Sequence, residues 1–464
     1  MRTRVTNGDD SRLSLWLRVR EFAVPPSMIE TATARRRRGD WVGACAAAGF
    51  DLDIDMRWLV RRYGREFAAR VRSDLRHLAP DLLRWHLPRI APDGLLRPGL
   101  TIALARYDPP GPLTRCGGAG SVYLVVRTAP AWADAGQRIG LALWDGSRAG
   151  AGAGAHPHPR PNPRFRLDLH RHLWDARMAD ELRTRSGADQ FAVGGVDPGL
   201  LEPVPPGCAV DRWAAEAGIL LHAEGRRSGP VRVRFGARQE LVADLASDGD
   251  GPPTLRKAQA YPRGGLSALP VLPDAATWTL PDLALIRAGA ISADRLHPLV
   301  AAALVPGWSP ADTSRIADGA DQPNLVECRG ERHRIGLVDG VLSALDHDPA
   351  EIRREELLVA LTGTPLPCLR AIDRAHRRPD CLAGVRERLD HGDTAGALAV
   401  VEDLLGPEAS LRDGALRDEL EAAARRRITY GLFRAGLVRD GPPRAQPDRR
   451  RRAHRAHPRD AASR

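Results

Sequence analysis

Apolar residues recur at steps of three and four early in the chain. Val60, Tyr63, Phe67, Val71, Leu75, Leu78 and Leu82 would share one face of a helix, or of two stacked helices. This helical pattern runs from Ser27 to about Leu87, and Pro80 is expected to interrupt it, with Asp81 opening the next turn. The period then changes. Leu100–Tyr107, Ser121–Arg127 and Arg138–Trp144 read as three strands, and Gly229–Phe235 with Gln239–Leu245 as a further pair. Phe165–Thr184 reads as mostly helical, and Pro-rich connections through 250–282 lead to short helices ending at Leu304. Asn324–Cys328, His333–Val338 and Val341–Leu345 suggest a meander, with Asp339-Gly340 as a two-residue hairpin turn.

Helix ends are well signalled. Asp348-Pro349-Ala350-Glu351 places an N-cap Asp, a Pro at the first helical position and a capping-box Glu in succession, and Pro365–Leu437 is expected to be helical throughout. Arg38-Gly39-Asp40-Trp41 and His391-Gly392-Asp393-Thr394 echo each other. In each, Gly would end one helix in the left-handed conformation and Asp would cap the next, as in an αα-hairpin. The fold class expected is α+β, with a helical N-terminal segment, a mixed or antiparallel β core with helices, an all-helical C-terminal region and a disordered basic tail. The divisions are 1–24 (a disordered extension, or the product of a mis-called start codon), 25–95 (helical), 96–345 (α+β core with a flexible loop at 149–163), 346–437 (helical) and 438–464 (a disordered Arg-rich tail).

Composition changes this picture in few places. The formal charge of the 464 residues is +11, but Arg439–Arg464 holds nine Arg and three Asp, so the tail supplies +6 and the rest +5. The body is therefore only mildly basic, which argues against a dedicated nucleic-acid binder. Lys257 is the only lysine, and no Gly-Lys-Ser/Thr phosphate loop exists. The six cysteines (45, 116, 208, 328, 368 and 381) include no Cys-x-x-Cys pair, so zinc ribbons are not expected and buried thiols in a reducing compartment are. No signal-peptide core and no apolar run of membrane-spanning length is visible, so a cytoplasmic protein without membrane contact is expected. Ten Trp exceed seven Phe and five Tyr, which makes Trp the large core anchor.

Candidate chemistry centres on Asp168-Leu169-His170-Arg171-His172. On a strand His170 and His172 would share a face and could ligate a metal, with Lys257, His297, His333 and Asp346 in a permissible order for further ligands. Two things oppose this: the helical continuation through Leu182, which would turn the two rings well apart, and the lack of eight-fold βα alternation. His156 and His158 lie close by in a Pro-rich stretch, making a His156–His172 cluster that could hold metal loosely. Asp51, Asp53 and Asp55 start like a calcium loop, but Met56 and Arg62 stand where Gly and Glu are required. Gly150–Ala155 lacks a following helix, His222-Ala-Glu224 lacks its Pro-Cys-x-x-Cys partner, and Asp348 of His347-Asp348 serves better as a helix cap. Arg61, Arg65, Arg72 and Arg76 make a helical stripe read as a solvated face. No catalytic, cofactor-binding or metal residue is assigned.

The strings Phe165–Arg177, His333–Leu342 and Arg353–Ala360-Leu361 resemble those of an uncharacterised hypothetical-protein family of actinobacteria, over about Val24 to Leu437. The resemblance implies a bacterial source and a cytoplasmic compartment, and it assigns no activity. Together these features lead to the expectation of a non-enzymatic interaction or accessory protein that uses helical hairpins to bind a protein partner. One alternative is a metal-dependent hydrolase with His170 and His172 as ligands. The other is weak polyanion or nucleic-acid contact through Arg449, Arg450, Arg451 and Arg452.

Overall fold

The computed structural model describes residues 6–109, 120–146, 156–189, 195–200, 204–236, 239–246, 252–258, 265–309, 324–328, 330–363 and 365–438. The Gly-rich stretch after Cys116, residues 149–155 of the expected loop and the tail with Arg449–Arg452 lie outside them. The fold is α+β. Its residues group into a larger unit, within Met1–Ala311 and Leu432–Arg464, and a smaller one, within Asp312–Gly431.

In the larger unit, the three expected strands appear as Thr101–Tyr107, Val122–Thr128 and Ile139–Trp144, paired antiparallel in that order. A fourth strand, Phe50–Asp53, adds to the sheet edge parallel to Ile139–Trp144, with Phe50 opposite Ile139. The expectation of a purely helical 25–95 is corrected there. The stripe from Val60 to Leu82 becomes three helices, Met56–Tyr63, Arg65–His77 and Pro80–His86, broken at Gly64 (φ +92°) and at Pro80. Phe67, Val71, Leu75, Leu82 and Leu83 from these helices meet Ile102, Leu104, Leu124, Val126, Ile139 and Leu141 from the sheet in one core. A second four-stranded sheet orders Gly195–Val196, Thr254–Lys257, Glu240–Ala246 and Gly229–Arg234. It shares a core with the helix Trp213–Ala223, through Trp213, Ala217, Leu220 and Leu221. The strand Thr254–Lys257 falls in the stretch expected to hold only Pro-rich connections.

Three further expectations change. The N-terminal segment is ordered over 6–24: Thr6–Arg18 is an α-helix that runs into a π-helical turn at Val19–Ala23. Val19, Ala23 and Val24 enter the core, and Arg84 holds the segment through Nε to the Ala23 carbonyl at 2.9 Å. Phe165–Thr184 is not a regular helix. Single 3₁₀ turns cover Leu167–Leu169, Arg171–Leu173 and Ala179–Glu181, and an α-helix forms only at Leu182–Ser186. Remote pairings compete with helical bonding there: the Asp74 carboxylate draws in Arg171 and Arg177, and the Ala79 amide bonds the Trp174 carbonyl at 2.8 Å. Residues 156–163 of the expected flexible loop lie along the sheet, where Thr101 donates to the His158 carbonyl at 2.6 Å and the Asn162 amide to the Thr101 carbonyl at 2.8 Å.

The smaller unit packs the meander Asn324–Cys328, Glu331–Val338 and Val341–Ala344 on helices. Asp339 (φ +51°) and Gly340 (φ +78°) make its second turn as expected. The division at 345 is corrected. Cys328, Ile335 and Leu342 of the strands share a core with Cys368, Ile372, Val385, Leu389 and Val401 of the helices, so strands and helices form one unit. Asp348 caps Pro349–Thr362 through the Ala350 amide at 2.9 Å.

The two Gly-Asp corners agree atom for atom. Gly39 and Gly392 take φ +80° and +87°. The Asp40 amide bonds the Arg35 carbonyl at 3.0 Å, and the Asp393 amide bonds that of Arg388 at 2.8 Å. Each Asp then caps the next helix, through Gly43 and Gly396. Each also pairs with the Arg five positions before it, Arg35 at 3.1 Å and Arg388 at 2.8 Å.

Candidate functional site: an arginine- and aromatic-lined cavity

The larger unit contains a cavity of about 330 Å³ in which the wall residues come from distant parts of the sequence. Trp16, Phe165, Phe235 and Trp278 supply aromatic faces, and Arg12, Arg89, Arg97, Arg164 and Arg166 supply cations, against the single carboxylate of Asp274. Several of these guanidinium groups are already engaged. Arg164 pairs with Asp274 at 2.5 Å, Arg166 makes a two-pronged contact with Asp168 and reaches Glu224 at 2.8 Å, and Arg12 lies over the Trp278 ring at 4.7 Å. Arg89 donates to the Gly94 and Arg84 carbonyls, leaving its Nε buried and unpartnered. Arg97 Nε is likewise buried without a hydrogen-bond partner. Burial lowers the Arg97 guanidinium pKa, and Arg164 beside it lowers it further. An anion placed there would relieve both penalties.

His86, the last residue of the helix Pro80–His86, also lines the cavity. Its side chain is 3% exposed, and its Nε2 has no hydrogen-bond partner, lying 4.0 Å from an Asp282 oxygen. Burial, followed by the charge of Arg20, pushes the imidazole down to about 3, so the ring is neutral near pH 7. Behind it, Asp282 accepts from Trp85 Nε1 at 2.7 Å and from Arg20 at 3.3 Å, while the Arg20 guanidinium stacks 3.8 Å above the Trp85 ring. His297 caps the helix Pro298–Leu304 through Nδ1, and its Nε2 approaches Asp81 to 3.0 Å without the alignment of a hydrogen bond.

Buried histidines of the larger unit also meet carboxylates that are remote in sequence. His170 lies between two 3₁₀ turns and His172 in the second of them, both buried, with ring centroids 5.8 Å apart rather than on opposite helix faces. His170 Nδ1 faces the Arg166 carbonyl at 3.0 Å and Nε2 faces Glu216 at 3.2 Å. Burial works against ionising Glu216, but His170 and a two-pronged Arg185 outweigh it and hold the carboxyl well below its usual range. Glu216 is thus already paired with Arg185 and faced by His170, and among the described residues His170 and His172 belong to no convergent metal-donor set. The further ligands considered are dispersed: Lys257 is exposed on its strand, His297 faces Asp81, and Asp346 pairs with Arg334 in the smaller unit. His156 uses both ring nitrogens, toward the Thr128 carbonyl and the His158 amide, and is a structural residue. Asp51 pairs with Arg138 and Asp55 caps the next helix, and Arg61, Arg65, Arg72 and Arg76 are exposed.

Sequence reasoning missed Arg97, Arg89 and His86. The excess of Trp was the one available signal, since Trp16 and Trp278 form cavity walls. No protein-family model, curated protein or solved structure matches this chain. Among the described residues, no helix is long and apolar enough to cross a membrane.

Proposed function

We propose that the larger unit binds a small organic anion with a planar or aromatic body. The observation that carries this reading is the excess of cations on the wall, five arginines against the one carboxylate of Asp274, in a cavity walled by four aromatic rings. A carboxylate or phosphate ester would be drawn by that excess of guanidinium charge while its body stacks on Trp16 or Trp278, and the volume suits a metabolite-sized molecule. Small acids titrated into the full chain, followed by tryptophan fluorescence, test it. A binding acid should lose about tenfold to hundredfold in affinity in Arg97→Ala, as expected for one charge-assisted hydrogen bond. An uncharged isostere that binds as tightly as the acid overturns the reading.

A second reading retains the expected protein partner and rests on a separate observation. On the helix Pro349–Thr362, Leu357, Leu358 and Leu361 are 70%, 48% and 84% exposed. A partner laying an apolar face on this helix would cover them. The pair Leu357→Glu and Leu361→Glu should change stability by no more than about 0.5 kcal/mol while abolishing partner capture or self-association. Unchanged association removes this reading. The polyanion reading falls on Arg449–Arg452, outside the described residues.

A further inference from the structure

The smaller unit holds a second cluster, unrelated to the cavity. Cys328 ends the strand Asn324–Cys328, His347 follows the last strand just before the helix Pro349–Thr362, and Cys368 lies in the first turn of Pro367–Arg377. One donor atom from each lies within 4.8 Å of the other two. All three residues are buried, at 0%, 8% and 1% exposure. We propose that Cys328, His347 and Cys368 bind a zinc-class divalent cation that fastens the meander to the two helices.

The obvious competitor is a pair of thiols filling an apolar core. The histidine argues against it. His347 Nδ1 lies 3.6 Å from the Glu351 carboxylate, while Nε2 is buried with no hydrogen-bond partner. A buried imidazole nitrogen without a partner is costly in a core that could equally hold an apolar side chain. A carboxylate on one nitrogen with the other left open is the arrangement in which a metal-ligating histidine is oriented. Two thiolates and one imidazole select zinc or a similar borderline ion over magnesium or calcium. The thiolates also cancel the charge of a divalent ion, so the loaded site is neutral where it is buried. Zinc bonds of about 2.3 Å to sulfur and 2.0–2.1 Å to nitrogen bring tetrahedral donors to within roughly 4 Å of one another, a contraction that rotamer adjustment can supply. His333 packs beside the site: its ring stacks on His347 at 4.3 Å and its Nδ1 is also buried without a partner. No close cysteine pair announces the site, because the three donors are spaced Cys-x18-His-x20-Cys.

Elemental analysis of the purified full chain should give one zinc per molecule. Metal-free protein titrated with Co²⁺ should develop thiolate-to-cobalt charge-transfer absorption. Cys368→Ser and His347→Ala should each lose the stoichiometric metal, while Cys208→Ser, in the other unit, should keep it. Should the variants misfold, wild-type protein still decides the matter: chelator should raise alkylation of Cys328 and Cys368, and added Zn²⁺ should restore their protection. A Cys328–Cys368 disulfide in protein prepared with zinc present would overturn the proposal. So would absence of the cobalt band, or full metal content in His347→Ala.

Discussion

Within the larger unit the core takes in charge. Arg20, Asp81, Arg84, Glu216 and Asp282 are each at most 3% exposed. In the smaller unit the buried polar side chains among the described residues are three histidines, His347, His376 and His391. Its surface shows the converse, carrying ten of the thirteen exposed large apolar side chains described. The difference is instructive about where specificity is stored. Buried ion pairs add little net stability, yet they penalise any packing that separates the partners, so the larger unit is held to one arrangement by charge. The smaller unit leaves large apolar side chains in water, and the proposed protein-partner reading rests on them.

The sharpest way to break this contrast is at Asp282. Its replacement by Ala strands Arg20 in the core and removes the acceptor of Trp85 Nε1, and should cost the larger unit about 3–5 kcal/mol in urea unfolding. A loss near that of a surface substitution would mean that the buried charges do not define this core.

Acidification should bear harder on the larger unit next, although burial also lowers His376 in the smaller one. Burial pushes His86 down to about 3 and His156 to about 4, and lowers His172 as well. In the unfolded chain each returns to about 6.5. Between the two values the unfolded chain binds the proton and the folded chain does not. Stability is thus full above about pH 6.5 and falls as pH drops, by about 1.4 kcal/mol per pH unit for each histidine that stays neutral. The depressed Glu216 carboxyl adds loss in the same direction once pH falls below about 4.3. Denaturant midpoints between about pH 7.5 and about pH 5 should therefore drop for the larger unit, and a His156→Gln variant should show a shallower fall. A flat profile would place these rings in water.

The smallest test compares the two corners. A Cβ at Gly43 or Gly396 would overlap the carboxylate that caps its helix. Gly396→Ala should cost about 1 kcal/mol by displacing the Asp393 cap. Gly43→Ala should cost less, because Asp40 is 47% exposed where Asp393 is 11%. Equal losses from circular-dichroism melts would show that exposure does not grade the caps.

Legibility followed sequence separation. The strands Thr101–Tyr107, Val122–Thr128 and Ile139–Trp144, the Asp339-Gly340 turn and the Asp348 cap were readable because periodicity and local chemistry define them. Phe50–Asp53 was not, since four residues show no alternation and its partner Ile139–Trp144 is remote. The ordered start of the chain escaped for a related reason. Its anchor is Arg20 on Asp282, 262 positions away, and a lone arginine in a polar stretch looks like surface. His170 and His172 were noticed for their spacing, but their rings are placed by Glu216 and Arg166, which spacing does not reveal. Of the cavity only the excess of Trp gave a sign, because Arg97 and Trp278 share no motif.

The Gly-Asp corner has a consequence beyond this fold. Every contact that bends the chain there is made inside nine consecutive residues, Arg35–Gly43 in one copy and Arg388–Gly396 in the other. With its cap, carbonyl bond and ion pair all local, such a cassette should transplant as a ready-made joint between helices of a designed bundle.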